Sequence, residues 1–171
     1  MDAKEFFTNL HDIEVNQKYA KNLPYSFHLE LVEKQALKFE KYILSEKRDI
    51  TFTGIWGHDS IEDARLTYND VKSKFGKEVA EIIYLCTENK GRNREARKDE
   101  VWYNELAQND IAVFVKLCDI IANSLFSLTT GSTMFEKYKN EYYNKVKQYL
   151  YPKYKNRYAD MFEYLEKIYN V

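Results

Sequence analysis

Six consecutive residues, His58-Asp59-Ser60-Ile61-Glu62-Asp63, place one imidazole and three carboxylates in a single short stretch. On a helix, His58 and Glu62 are four apart, as are Asp59 and Asp63, so these groups project over adjoining parts of one broad face. Two more groups of the same kind stand elsewhere: His28, just after Pro24-Tyr25-Ser26, and Asp119, inside the most apolar run of the chain. Together, two imidazoles and two carboxylates suit a divalent transition ion such as Mn²⁺ or Fe²⁺, and are less typical of Mg²⁺ or of a closed structural zinc site. Each member also has a plainer reading. His28 alone is a helix-start residue, and Lys116, three residues before Asp119, gives that carboxylate the partner an isolated buried charge requires.

The elements that must position these groups read as helices. Pro24 and Ser26 mark a helix entry, with Ser26 as cap and the helix running from about Phe27 to Leu44. A second helix spans about Ile50 to Asp63, where Gly54 and Gly57 allow a neighbouring backbone to approach closely. Thr67 to Asp70 matches a capping box for a helix ending near Phe75-Gly76, and Glu78 to Cys86 carries an apolar stripe. Asn109 caps the longest apolar helix, on which Lys116, Asp119 and Asn123 share a face. Gly131 closes it, Thr133 with Glu136 opens another, and Pro152 divides two helices in a Tyr-rich tail whose aromatic spacing reads as packing. Residues 1–23 are too irregular for more than one or two short helices, and His11-Asp12 reads as an exposed or capping pair.

Composition bounds the class. In 171 residues, hydrophobic types make up 44% and aromatic types 16%, with only 5 Gly and 2 Pro, which favours an all-α domain over turn-rich β structure. The expected organisation is one domain, with residues 1–131 as a core and 132–171 as a helical cover that could also mediate dimerisation, leaving monomer or homodimer open. A net charge of −1 gives no global attraction to nucleic acid or to an anionic membrane. Cys86 and Cys118 sit in apolar runs and read as reduced core thiols. No stretch resembles a signal peptide or approaches the ~18 apolar residues of a membrane span, which predicts a cytoplasmic address. One local exception to the neutral charge is the run Lys90 to Lys98. It reads equally as a solvated helix face or as a phosphate clamp, in which Arg94, Arg97 and Lys98 would meet substrate.

The ordered set His28, His58-Asp59, Asp119 resembles the HD superfamily of metal-dependent phosphohydrolases. Within it, Pro24-Tyr25 before His28, the HDxxED segment 58–63, Thr67 through Phe75-Gly76, Val79, Thr87 and the KxxDxxxN segment Lys116 to Asn123 resemble the hydrolase domain of the RelA/SpoT family and its small alarmone hydrolases. The resemblance covers about residues 18–126. It implies an HD-type helical bundle with the metal site at its centre. It also implies removal of the 3′-pyrophosphate of (p)ppGpp with Mn²⁺, and related animal members also act on NADPH. By the same resemblance His28, His58, Asp59 and Asp119 would hold the metal, and Glu62 and Asp63 would orient or deprotonate the attacking water. Asn123 would line the nucleotide pocket, and Lys116 would fix Asp119 or contact a phosphate. The basic pair usual near the guanine pocket is reduced to Lys18 and Lys21 around Tyr19-Ala20, and a leucine, Leu29, follows the first histidine where the family has proline. The implied protein is a stand-alone hydrolase. Alternatives are an HD-type nucleoside 5′-monophosphatase and a non-catalytic nucleotide-binding protein.

Overall fold

The computed structural model describes residues 2–88 and 98–170, and within them the regular structure is almost entirely helical. Helix α1 (Ala3–Asn9) is capped by the Asp2 carboxylate and runs straight into a π-helical turn, Leu10–Glu14. A minimal antiparallel hairpin, β1 (Lys18–Tyr19) with β2 (Leu23–Pro24), is the one sheet among the described residues. There follow α2 (Ser26–Lys38), α3 (Arg48–Gly57), α4 (Ser60–Asp63), α5 (Tyr68–Phe75), α6 (Lys77–Cys86), α7 (Glu100–Leu106) and α8 (Asp110–Thr129). The C-terminal part comprises α9 (Met134–Glu141), α10 (Lys147–Tyr149), α11 (Tyr151–Tyr154) and α12 (Ala159–Tyr169).

Helix α8 is the axis of the bundle. It packs against α2, α3 and α6 on the side that carries the polar residues of interest, and against α9 and α12 beyond them. By length and composition α8 could cross a membrane, at 20 residues with a mean hydropathy of 1.8, which corrects the expectation that no run would qualify. The apolar surface is satisfied inside the fold, where most of this run is buried. Asn109 caps the helix by accepting from the Ala112 amide, and Gly131, at φ +63°, ends it in the left-handed conformation that glycine adopts freely. The Ser124 hydroxyl meets the Tyr169 hydroxyl at 2.5 Å, tying α12 to α8. Cys86 and Cys118 are buried and unbridged.

Local chemistry moved several boundaries. Thr67 and Asp70 form the expected reciprocal capping box. Ser26 does not cap α2. Its own amide is instead capped from a distance by the Asp12 carboxylate at 3.0 Å, so the capping half of the His11-Asp12 reading holds while His11 itself is fully buried. Helix α2 stops at Lys38 because Phe39 leaves the helical basin (φ −109°, ψ 20°) to seat its ring against Tyr164, and a 3₁₀ turn, Glu40–Tyr42, follows. The larger correction concerns the HD segment, which is not one helix: α3 ends at Gly57 and α4 begins at Ser60. Two side chains take the carbonyls at that junction. Ser60 Oγ donates to the Gly57 carbonyl at 2.6 Å, and His58 Nδ1 bonds the Ile55 carbonyl at 2.8 Å.

The approach at Gly54 and Gly57 is made by side chains rather than by backbone. A Cβ on Gly57 would overlap Ile83 Cδ1 and stand 2.6 Å from Phe7 Cζ, and both of those side chains are fully buried with nowhere to move. Gly57→Ala should therefore cost about 1–3 kcal/mol by overpacking, outweighing the helix propensity gained. A lowered denaturant midpoint at unchanged slope would check it.

Candidate metal centre

Four segments deliver the polar groups. Helix α2 brings His28 in its first turn, the α3–α4 junction brings His58 and Asp59, α4 carries Glu62 and Asp63, and the buried face of α8 carries Lys116 and Asp119 with Asn123 one turn on. Neighbouring residues on one helix diverge by about 100°. The break after Gly57 removes that constraint and lets His58 and Asp59 converge.

The convergence is close. His28 Nε2 lies 3.3 Å from His58 Nε2 and 3.3 Å from Asp119 Oδ1, and His58 Nε2 lies 3.8 Å from the same Asp119 oxygen. Asp59 Oδ2 stands 2.9 Å from His58 Nε2 and 3.4 Å from His28 Nε2. Donors bound about 2.1 Å from one ion at right angles are about 3 Å apart, so these separations fit a shared divalent cation. Among the described residues, His28, His58 and Asp119 form a group whose donor atoms all lie within 4.8 Å of one another, which could hold a metal ion. The bond from His58 Nδ1 to the Ile55 carbonyl leaves Nε2 as the free nitrogen facing the cluster, the usual arrangement behind a metal-binding imidazole.

Around this cluster each carboxylate is held. Asp119 takes Lys116 Nζ at 2.9 Å and Asn123 Nδ2 at 2.5 Å, and Asn123 accepts from the Tyr19 hydroxyl at 2.9 Å. Asp59 accepts from the Tyr25 hydroxyl at 2.5 Å. Burial alone would raise both carboxyl pKa values. Lys116 and the histidines hold Asp119 far below the ordinary range, and His58 and His28 do the same for Asp59. Burial and the neighbouring Asp59 raise the Tyr25 hydroxyl well above 10, so it remains a donor. Glu62 and Asp63 are open to solvent as residues but line the cleft at its mouth, where partial desolvation of the carboxyl groups and nearby negative charge, Glu88 for Glu62 and Asp59 for Asp63, raise both pKa values. Glu62 accepts from the Glu88 amide at 3.0 Å.

Two imidazoles carry the pH dependence: burial opposes charge on His58, but Asp59 and Asp119 still raise its pKa above 6.5, and the same holds for His28. Burial of His28 is outweighed by hydrogen bonds to Asp119 and Asp59, which raise its pKa from 6.5 to about 9. With that folded value raised, the metal-free protein has the full benefit of the His28 proton below pH 6.5 and loses it as pH climbs through about 9. A metal ion must displace these protons, so apparent affinity should rise by up to about tenfold per pH unit for each of them between pH 6.5 and 8.5. Calorimetric titration in buffers of different ionisation heat would read about one to two protons released per ion bound, from His28 and His58.

A cleft of about 190 Å³ opens over the cluster, lined by His28, Asp59, Glu62, Asp63, Lys116, Asp119 and Asn123. Lys98 lines it too, buried, with its ammonium 3.0 Å from Glu88 and 2.6 Å from Glu141, so its charge is already paired. Lys21 is exposed beside the hairpin and is not among the residues that line the cleft. Arg94 and Arg97 lie outside the described residues. Sequence reasoning missed four lining residues: Tyr19, Tyr25, Glu88 and Tyr138. Tyr25 was the most accessible of these, since it sits beside Pro24 at the helix entry. Tyr138 was absorbed into the aromatic packing of the tail, and no spacing marks Tyr19 or Glu88.

Comparison with known proteins adds a strong likeness in fold. No protein-family model matches the sequence, and no curated protein does. The chain superposes with a TM-score of 0.74 and 21% identity on the solved structure of a metazoan ortholog of SpoT, described as hydrolysing ppGpp and playing a role in starvation responses. The match covers 99% of this chain and 95% of that one. What the likeness establishes is the fold, an all-helical bundle shared with that protein over nearly the whole chain.

Proposed function

We propose that the chain is a metal-dependent phosphohydrolase that removes the 3′-pyrophosphate of (p)ppGpp or a closely related nucleotide, with Mn²⁺ as its ion. The observation that carries this reading is the meeting of two imidazoles and two carboxylates below a second pair of carboxylates at the cleft mouth, in the fold of a protein described as hydrolysing ppGpp. His28, His58, Asp59 and Asp119 hold the ion. When bound, the ion acidifies water and neutralises charge on the phosphate oxygens. Asp63 and Glu62 orient the attacking water and accept its proton; their raised pKa values bring them closer to the working pH of a general base. Asn123 and Lys116 fix Asp119, and Lys116 also lines the cleft, where its ammonium can meet a phosphate oxygen.

A second reading, a nucleoside 5′-monophosphatase of the same fold, is favoured by one feature. Among the described residues both ammonium groups in the cleft, Lys98 and Lys116, are already ion-paired, which suits a less charged substrate. Purified protein with added Mn²⁺, offered ppGpp, pppGpp, NADPH and the common nucleoside monophosphates, separates the two. Pyrophosphate released from ppGpp is the expected product. Orthophosphate from a monophosphate alone would move the assignment to the second reading.

A further inference from the structure

The π-helical turn Leu10–Glu14 carries a buried imidazole that the chemistry above leaves without a task. Such turns are rare and occur frequently at functional sites. His11 lies against the Tyr25 ring, centroids 4.7 Å apart at 20°, and its Nδ1 is 2.7 Å from Gln17 Oε1. Gln17 Nε2 in turn lies 3.0 Å from Asp63 Oδ2.

The direction of this chain of bonds is fixed from its far end. An ionised carboxylate only accepts, so the Gln17 amide must turn its NH₂ to Asp63 and its oxygen to His11. An amide oxygen also only accepts, so Nδ1 of His11 carries the proton and Nε2 keeps the lone pair. His11 Nε2 is buried with no partner among the described residues, and a buried acceptor is better tolerated in that position than a buried N–H. Burial also lowers the imidazole pKa, which keeps the ring neutral. The chain is bent to suit: Asn16 takes φ +52°, a left-handed conformation open to asparagine, and the Gln17 amide returns to the His11 carbonyl at 2.8 Å. Asp63 sits on a helix of only four residues, and its other bond, from the Tyr25 hydroxyl, is long at 3.4 Å because that hydroxyl is committed to Asp59.

We propose that His11 and Gln17 form a positioning arm for Asp63, the imidazole bracing the amide and the amide holding the carboxylate in one orientation over the cleft. The role in turnover rests on the reading of Asp63 as acceptor of the water proton; the bonding direction does not. His11→Phe keeps a stacked ring without the donor, Gln17→Leu removes both bonds, and His11→Asn restores an N–H where Nδ1 stood.

With Mn²⁺ and ppGpp, the first two variants should lose about tenfold in kcat at unchanged KM and metal content, and His11→Asn should stay within about twofold of the parent. In parallel, long-range ¹H–¹⁵N spectra with diamagnetic Mg²⁺ should show His11 as the neutral Nδ1–H tautomer, and Gln17→Leu should abolish that preference. An Nε2–H tautomer in the parent overturns the arm whatever the kinetics. Parental kcat in His11→Phe, or equal losses in His11→Phe and His11→Asn, overturns the positioning role. A locked tautomer, released in Gln17→Leu, with no nucleotide turned over by the parent, leaves the arm standing and defeats the phosphohydrolase reading instead.

Discussion

Asp63→Asn should lower kcat by about 10²–10⁴-fold while leaving Mn²⁺ content and KM close to those of the parent. The substitution is nearly isosteric. An asparagine oxygen can still accept from the Tyr25 hydroxyl and the Gln17 amide, the two partners of the Asp63 carboxylate, so the local structure has little reason to change. What it cannot do is take a proton from water. The metal cluster is built from other side chains, which is why bound metal, measured by elemental analysis after gel filtration, should be spared. Full activity in this variant would remove the proton-accepting role from Asp63 and leave Glu62 as the remaining carboxylate at the mouth.

The second large effect joins stability to metal binding. Asp119→Ala removes one donor of the metal group and also strands the buried Lys116 ammonium. Breaking one side of a buried pair costs about 3–5 kcal/mol, since the remaining charge is left unpaired in a poor solvent for it. The variant should therefore lose its metal and melt well below the parent. Adding Lys116→Met takes away the stranded charge and should restore much of the stability with none of the metal, a coupling that a double-mutant cycle reads directly. Equal melting temperatures for the single and double variants would show that Lys116 finds another partner or stays hydrated.

The helical class, the core stripes and the chemistry-bearing residues were legible because each leaves a local mark. The Thr67–Asp70 box, the Asn109 cap and the apolar run of α8 are short-range patterns, and the structure keeps them. Residues whose importance depends on distant partners were not legible. His11 looked like a surface pair with Asp12, because nothing in residues 1–23 says that Tyr25 and Gln17 will enclose it. Lys98 read as part of a solvated face or of a phosphate clamp, whereas the fold pairs it with Glu88 and with Glu141, which is 43 positions away. The continuous helix read through His58 and Asp59 broke for a related reason: the periodicity fits one helix, and only the side-chain bonds to the carbonyls of Ile55 and Gly57 end it there before α4 begins.

The break between α3 and α4 and the spread of ligands over α2, that junction and α8 also bear on when the centre comes into being. His28 and His58 are 30 positions apart, and Asp119 comes from another helix again, so no single segment offers a site to an ion before the helices have docked. Contacts that need docked helices should be absent from the folding transition state. An ion held by them should then slow unfolding and leave the folding rate unchanged, which stopped-flow kinetics with and without Mn²⁺ would read.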